Sequence, residues 1–178
     1  MKYLSSLFTF ALFVLITPLS SAWQPASKPP LPFEDQGACP FECCTYRRWT
    51  VRTETVIRKD RHTDSPVVFT VRRGERIVGV TGVVVTTRPG KATILQTVVI
   101  DGIEYVSGDT LYLLTYLGEG FYKVWYRGQI AQMGMDDNSA FKVNTRPESV
   151  WWVKIRNRRW QTGWSRQPEN FDNKDACG

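Results

Sequence analysis

The stretch "ACPFECC", residues 38–44, places Cys39, Cys43 and Cys44 within one short loop, and the remaining cysteine, Cys177, stands next to the C-terminal residue. Four thiols can hold a metal ion, cycle as a redox centre, or pair as disulfides. A structural zinc site draws four converging ligands, usually from two C-x-x-C-like knuckles. Here three thiols crowd one end, the fourth is alone, and the sole histidine, His62, has no second histidine or neighbouring cysteine to complete a mixed site. Disulfides are therefore expected and no metal is. Bridging adjacent cysteines strains the peptide between them, so Cys177 should pair with Cys43 or Cys44 and Cys39 with the remainder. Such a bridge ties the start of the domain to its end. Closing a loop of that length stabilises the fold by about 4 to 5 kcal/mol in the chain-entropy treatment.

Other catalytic constellations are thin. A serine-hydrolase triad would need His62 as its base, yet His62 sits in the charged loop "RKDRHTDS", where solvent exposure is the usual outcome. The carboxylates of "FEDQ" (33–36) fall in a proline-rich stretch. Those of "MDDNS" (135–139) fall in a turn without the repeated oxygen spacing and glycine of a calcium loop. No glycine-rich phosphate loop is present. The chain is not expected to be an enzyme or to carry a cofactor. A thiol enzyme acting through Cys43 or Cys44 is the catalytic alternative, and a free-thiol count separates it.

The ends of the chain supply the context for these residues. Lys2, the apolar run "LFTFALFVLI" at 7–16, Pro18 and the small residues Ser20, Ser21 and Ala22 follow the order of a secretory signal peptide, with cleavage expected after Ala22. The apolar run is shorter than the ~20 residues a spanning helix needs. Residues 1–22 are thus read as a signal peptide and the rest as exported, periplasmic or extracellular, where thiols pair. Residues 23–38, "WQPASKPPLPFEDQGA", carry prolines at 25, 29, 30 and 32 and read as a linker, with the folded domain expected over 39–178. The formal net charge of +6, with seven tryptophans, favours anionic partners. No nucleic-acid partner is expected.

From Cys39 onward the periodicity is that of strands. "WTVRTET" alternates Trp49, Val51 and Thr53 against Thr50, Arg52 and Glu54. "VVFTV" (67–71), "IVGVTGVVVTT" (77–87) and "ATILQTVVI" (92–100) are rich in β-branched residues. "RRGER" and "RPGK" turn the chain, and Asp101-Gly102 marks a two-residue hairpin. "IEYV", "TLYLLTYLG", "FYKVWYRG" and "VWWVKIRN" follow, and only "PENF" (168–171) suggests a helical turn. The fold class is all-β.

Two segments carry a family resemblance. "TETVIRKDRHTDSPVVFTVRRGERIVGV" (53–80) resembles the first half of a bacterial Src-homology-3 (SH3-like) domain, and "WWVKIRNRRWQTGWS" (151–165) is similar to that family's closing hairpin. The likeness covers the two ends of the domain and not the long stretch between them. That stretch contains "SGDTLYLLTYLGEGFYKVWYRGQI" (107–130), which repeats the theme of a Gly-acid turn, an apolar strand and an aromatic strand. Two architectures follow: one SH3-like barrel enlarged by an insertion, or two nested small barrels with the second half-barrel over 91–135.

The resemblance implies a binding module with an aromatic-lined groove beside its first loop. In this chain the loop would supply Arg58, Lys59 and Arg61, with Tyr122, Tyr126, Trp152 and Trp160 as aromatic contacts and Trp164 in the core. Bacterial members are associated with cell-envelope recognition, which implies an envelope peptide, peptidoglycan or anionic polymer as ligand. The basic loop disfavours proline-rich peptides with basic anchors. A structural or inhibitory envelope protein, acting through "FYKVWYRG" as an exposed edge strand, is the second reading.

Overall fold

The computed structural model describes residues 27–135 and 139–177. The signal-peptide region and the Asp136–Asn138 part of "MDDNS" lie outside them. Among the described residues the chain is all-β, with one 3-10 turn at Pro168–Asn170, where "PENF" suggested a helical turn. No helix among them is long and apolar enough to cross a membrane.

Strands β1 (Phe33–Gln36), β2 (Arg48–Val51), β3 (Thr55–Arg58), β4 (Val67–Val71) and β5 (Arg76–Arg88) come first. Next are β6 (Gly90–Ile94), β7 (Val98–Ile100), β8 (Ile103–Tyr105), β9 (Thr110–Gly118), β10 (Phe121–Tyr126), β11 (Gln129–Gly134) and β12 (Phe141–Thr145). The chain closes with β13 (Glu148–Arg156), β14 (Thr162–Ser165) and β15 (Phe171–Asp172). An eight-stranded sheet has the order β15-β2-β5-β13-β14-β3-β4, with β1 also on β5. A five-stranded sheet has the order β11-β10-β9-β6-β12, and β7 and β8 form a separate hairpin. That hairpin turns through Asp101 (φ 50°) and Gly102 (φ 78°), the positive-φ pair the Asp-Gly dipeptide signals.

Strands β5 and β13 are the stem of the molecule. They pair antiparallel from Val78↔Arg156 to Arg88↔Glu148, and the chain between them builds the second sheet. That sheet encloses its own core of Ile94, Tyr105, Leu111, Leu113, Val124 and Phe141, among others. The first core is built on Trp49, Val51, Ile57, Val153, Ile155 and Phe171. The nested unit runs from Gly90 to Thr145 rather than over 91–135, because β12 returns to pair with β6. Its strands β11 and β12 carry no alternation strong enough to be read locally.

Two expectations need correction. "WTVRTET" is not one strand: it breaks at Arg52–Glu54, since β2 pairs with β5 and β15 while β3 turns away to β4 and β14. Folding also begins before Cys39. Pro29 is buried, and Phe33–Gln36 pair with Thr86–Val83 of β5, so the proline-rich segment ends in a sheet strand.

Disulfide Cys43–Cys177 joins the two ends of the domain, Cys39–Cys44 closes the short cysteine loop, and the tail lies zipped along that loop. Thr45 N–H donates to Lys174 O and Ala176 N–H to Cys43 O, at 2.8 and 2.9 Å. Against the staple, Tyr46 OH donates to Ala38 O and accepts from Trp151 Nε1, and burial raises the Tyr46 phenol pKa to about 12. This contact crosses β5 at Gly82, where a Cβ would lie 2.1 Å from the Tyr46 hydroxyl. Gly79 serves Trp49 likewise, with a Cβ 2.5 Å from its ring.

Candidate functional site

The site is a consequence of strand alternation. Ile57, Val153 and Ile155 point into the first core, so Val56 and Arg58 on β3 and Trp152 and Lys154 on β13 occupy the opposite face. On β14, Gly163 is the core-facing residue, because it lies opposite Ile155 and a Cβ there would come within 2.6 Å of Arg58 O and 2.7 Å of Ile57 Cγ2. Trp164 is therefore turned outward, opposite both Lys154 and Arg58. Its expected place in the core is corrected for that reason. The Trp164 ring has the Arg61 guanidinium 5.5 Å and the Lys154 ammonium 5.7 Å from its centroid.

A cleft of about 290 Å³ lies on this outer face, lined by Val56, Arg58, Thr63, Trp152, Trp164, Ser165, Arg166 and Gln167. Two indoles and two guanidiniums line it without a carboxylate. The charged loop beside it is internally braced. Arg58 Nη1 donates to Ser65 O at 2.7 Å, and Ser65 Oγ accepts the Asp60 N–H at 2.8 Å. Arg61 Nη2 donates to Glu34 Oε2 at 2.8 Å, and that hydrogen bond holds the Glu34 carboxyl below its ordinary pKa. The Glu34 contact was not legible in the sequence, because "FEDQ" carries no local signal that it becomes a strand beside this loop.

Of the residues expected to bind, the structure brings Arg58 and Trp152 into the cleft and sets Arg61 behind it on Trp164. Lys59 is exposed and outside the lining. Tyr122 and Tyr126 are corrected as ligand contacts: alternation along β10 turns Tyr122, Val124 and Tyr126 into the second core. Tyr126 OH donates to Asp109 Oδ2 at 2.7 Å and accepts the Val106 N–H at 3.1 Å, and burial raises its pKa. Trp160 is 74% exposed at the β13–β14 turn, away from the cleft lining, with the Arg156 guanidinium 4.3 Å from its ring centroid. Val56, Thr63, Trp164, Ser165, Arg166 and Gln167 are the lining residues that sequence reasoning missed as contacts, since their convergence depends on β3 pairing with β14 across the chain. Strand β10 is flanked by β9 and β11, so "FYKVWYRG" offers no free edge to a protein partner.

Among the described residues all thiols are paired, which leaves no thiolate for nucleophilic attack. Glu42 lies beside the Cys43–Cys177 bridge, and its carboxyl pKa is raised by a hydrogen bond shared with Glu119. His62 Nδ1 accepts the Asp64 N–H at 3.2 Å within its own exposed loop. No family model, no curated protein and no solved structure matches this chain.

Proposed function

We propose that this chain is a non-catalytic, exported binding module of SH3-like type that holds a carboxylate-bearing cell-envelope peptide, such as a peptidoglycan stem peptide, in the cleft between its first loop and β14. The observation that carries the reading is the lining itself: Trp152 and Trp164 beside Arg58 and Arg166, with no acidic residue among them. A guanidinium binds a carboxylate through two parallel hydrogen bonds, and indole surfaces bury the aliphatic part of a short peptide. The cleft sits at the lower end of the volumes that hold small ligands, about 300 to 1,000 Å³. The SH3-like part of the reading rests on the resemblance of the two sequence segments; their strands, β3, β4, β5, β13 and β14, lie in one sheet with β14 against β3. Export is supported by the two disulfides, which persist in oxidising compartments.

The test is binding of soluble muramyl peptides by the chain lacking residues 1–22, followed by calorimetry. Arg58→Ala with Arg166→Ala should weaken binding at least tenfold, in line with the 2 to 5 kcal/mol that truncating one partner of a buried charge pair typically removes. Retention of parent affinity by the folded double variant would overturn the reading.

A further inference from the structure

A second basic site lies elsewhere on the molecule, and it is larger. Arg48, Arg76, Arg156 and Arg158 surround a cleft of about 290 Å³ where the end of β13 meets β2 and β5. Arg76, Asn157 and Arg158 also line a groove of about 830 Å³ that continues past Arg72, Arg73 and Arg159. The shared residues make the two depressions one trough. Seven arginines line it against a single carboxylate, Glu75. None of the seven is in an ion pair among the described residues. The trough has no lining residue in common with the Trp152–Trp164 cleft.

The rim of the trough is built rather than loose. Asn157 Oδ1 accepts the N–H groups of Arg159 and Gln161 at 2.9 and 3.0 Å, and Asn157 Nδ2 donates to Gln161 Oε1 at 2.8 Å. Trp160 N–H closes the turn on Asn157 O at 3.1 Å. Trp160 itself is held at φ 63°, a left-handed conformation unfavourable for a bulky side chain. It nonetheless projects 74% of its surface to solvent. The indole, with the Arg156 guanidinium 4.3 Å from its ring centroid, offers a stacking surface beside arginines that have no ion-pair partner among the described residues.

We infer that this trough binds a sulfated or phosphorylated glycan chain, its anionic groups on the arginine forks and a sugar ring on Trp160. The site is concave, which suits a polymer chain and not a bilayer surface. The one aromatic in its lining is the half-buried Phe69, and Trp160 is the exposed indole on its rim turn, whereas single-stranded nucleic acid is gripped by a series of aromatics stacked on successive bases. The export proposed above, on which this assignment rests, would put the protein where envelope and extracellular glycans are the available polyanions.

The experiment measures binding of a heparin oligosaccharide, a single-stranded DNA of matched charge, and anionic phospholipid vesicles, each across a salt series. The heparin oligosaccharide should bind tightest, with affinity falling steeply as salt rises. Arg158→Ala with Arg159→Ala should weaken it about tenfold and flatten the salt dependence. The corresponding lysine pair should keep the salt slope and lose severalfold in affinity, because the bidentate geometry is gone. Trp160→Ala should weaken binding about fivefold or more without changing the slope, on the scale of aromatic stacking contacts. Tighter binding of DNA or vesicles, or indifference of the glycan to these folded variants, would overturn the inference. Arg58→Ala with Arg166→Ala should leave glycan binding unchanged, so the two sites fail or stand separately.

Discussion

Lys123 Nζ lies 2.6 Å from Asp35 Oδ1, and this ion pair joins β1, on the first sheet, to β10, an inner strand of the second. The Asp35 side chain is 7% exposed and that of Lys123 is 23% exposed. With the hydrogen bond from Thr86 Oγ1 to Leu114 O at 2.9 Å, it links the nested unit to the sheet that bears both basic sites.

Removing one partner of this pair should destabilise the protein far more than removing both. Asp35→Ala leaves the Lys123 ammonium without its counter-charge, and breaking a buried pair on one side typically costs about 3 to 5 kcal/mol. Asp35→Leu with Lys123→Met removes both desolvation penalties and should be nearly neutral or stabilising. Urea unfolding of Asp35→Leu, Lys123→Met and the double variant measures the coupling. Additive losses would show that the sheets are held together without it.

Local pattern made most of the strands legible, and long-range partnership did not. The period-2 runs of β4, β5, β9, β10 and β13 are local properties, as is the Asp101-Gly102 turn. Strand β1 escaped because its pairing partner, Val83–Thr86, lies far along the chain, and four prolines before it obscured the segment. Outward-facing Trp164 and buried Tyr122 differ only in which face their strand turns to the core, and that depends on register against another strand. The arginine trough was invisible for a related reason. Its cations come from β2, the β4–β5 turn, the start of β5, the end of β13 and the β13–β14 turn, and only the pairing of these strands brings them together.

The two disulfides should contribute unequally. Cys43–Cys177 spans a sequence separation of 134 and Cys39–Cys44 one of 5. In the chain-entropy treatment the long loop is worth about 5 kcal/mol and the short one about 2 kcal/mol. Cys43→Ala with Cys177→Ala should therefore lower the unfolding midpoint well beyond Cys39→Ala with Cys44→Ala. It should also free the tail that Cys43 O and Lys174 O hold against the cysteine loop. Thermal unfolding and amide exchange of residues 173–177 measure both effects. Equal losses would mean that local bracing of the loop, and not closure of the domain, is what the cysteines supply.

Stability should respond to acid through three carboxyl groups with opposed signs. Glu34 is held below its ordinary pKa by its hydrogen bond from Arg61, and Asp109 by that from Tyr126 and then by Arg127. For each, the folded state binds its proton less tightly than the unfolded state. Their contribution is complete above the unfolded values of about 4 and is lost as pH falls through the folded ones. Glu42 behaves in reverse: its contact with Glu119 raises its pKa, so the folded state gains as pH falls from the raised value toward the unfolded one. The midpoint temperature should thus hold or rise slightly on acidification to about pH 5 and then drop below about pH 4. Glu34→Gln and Asp109→Asn should each shallow the drop, and Glu42→Gln should remove the initial gain. Glu42 is exposed and the Glu34 and Asp109 side chains keep more than a third of their surface in solvent, so 0.5 M salt should flatten the profile. A profile that salt leaves unchanged would assign the acid limb to buried groups instead.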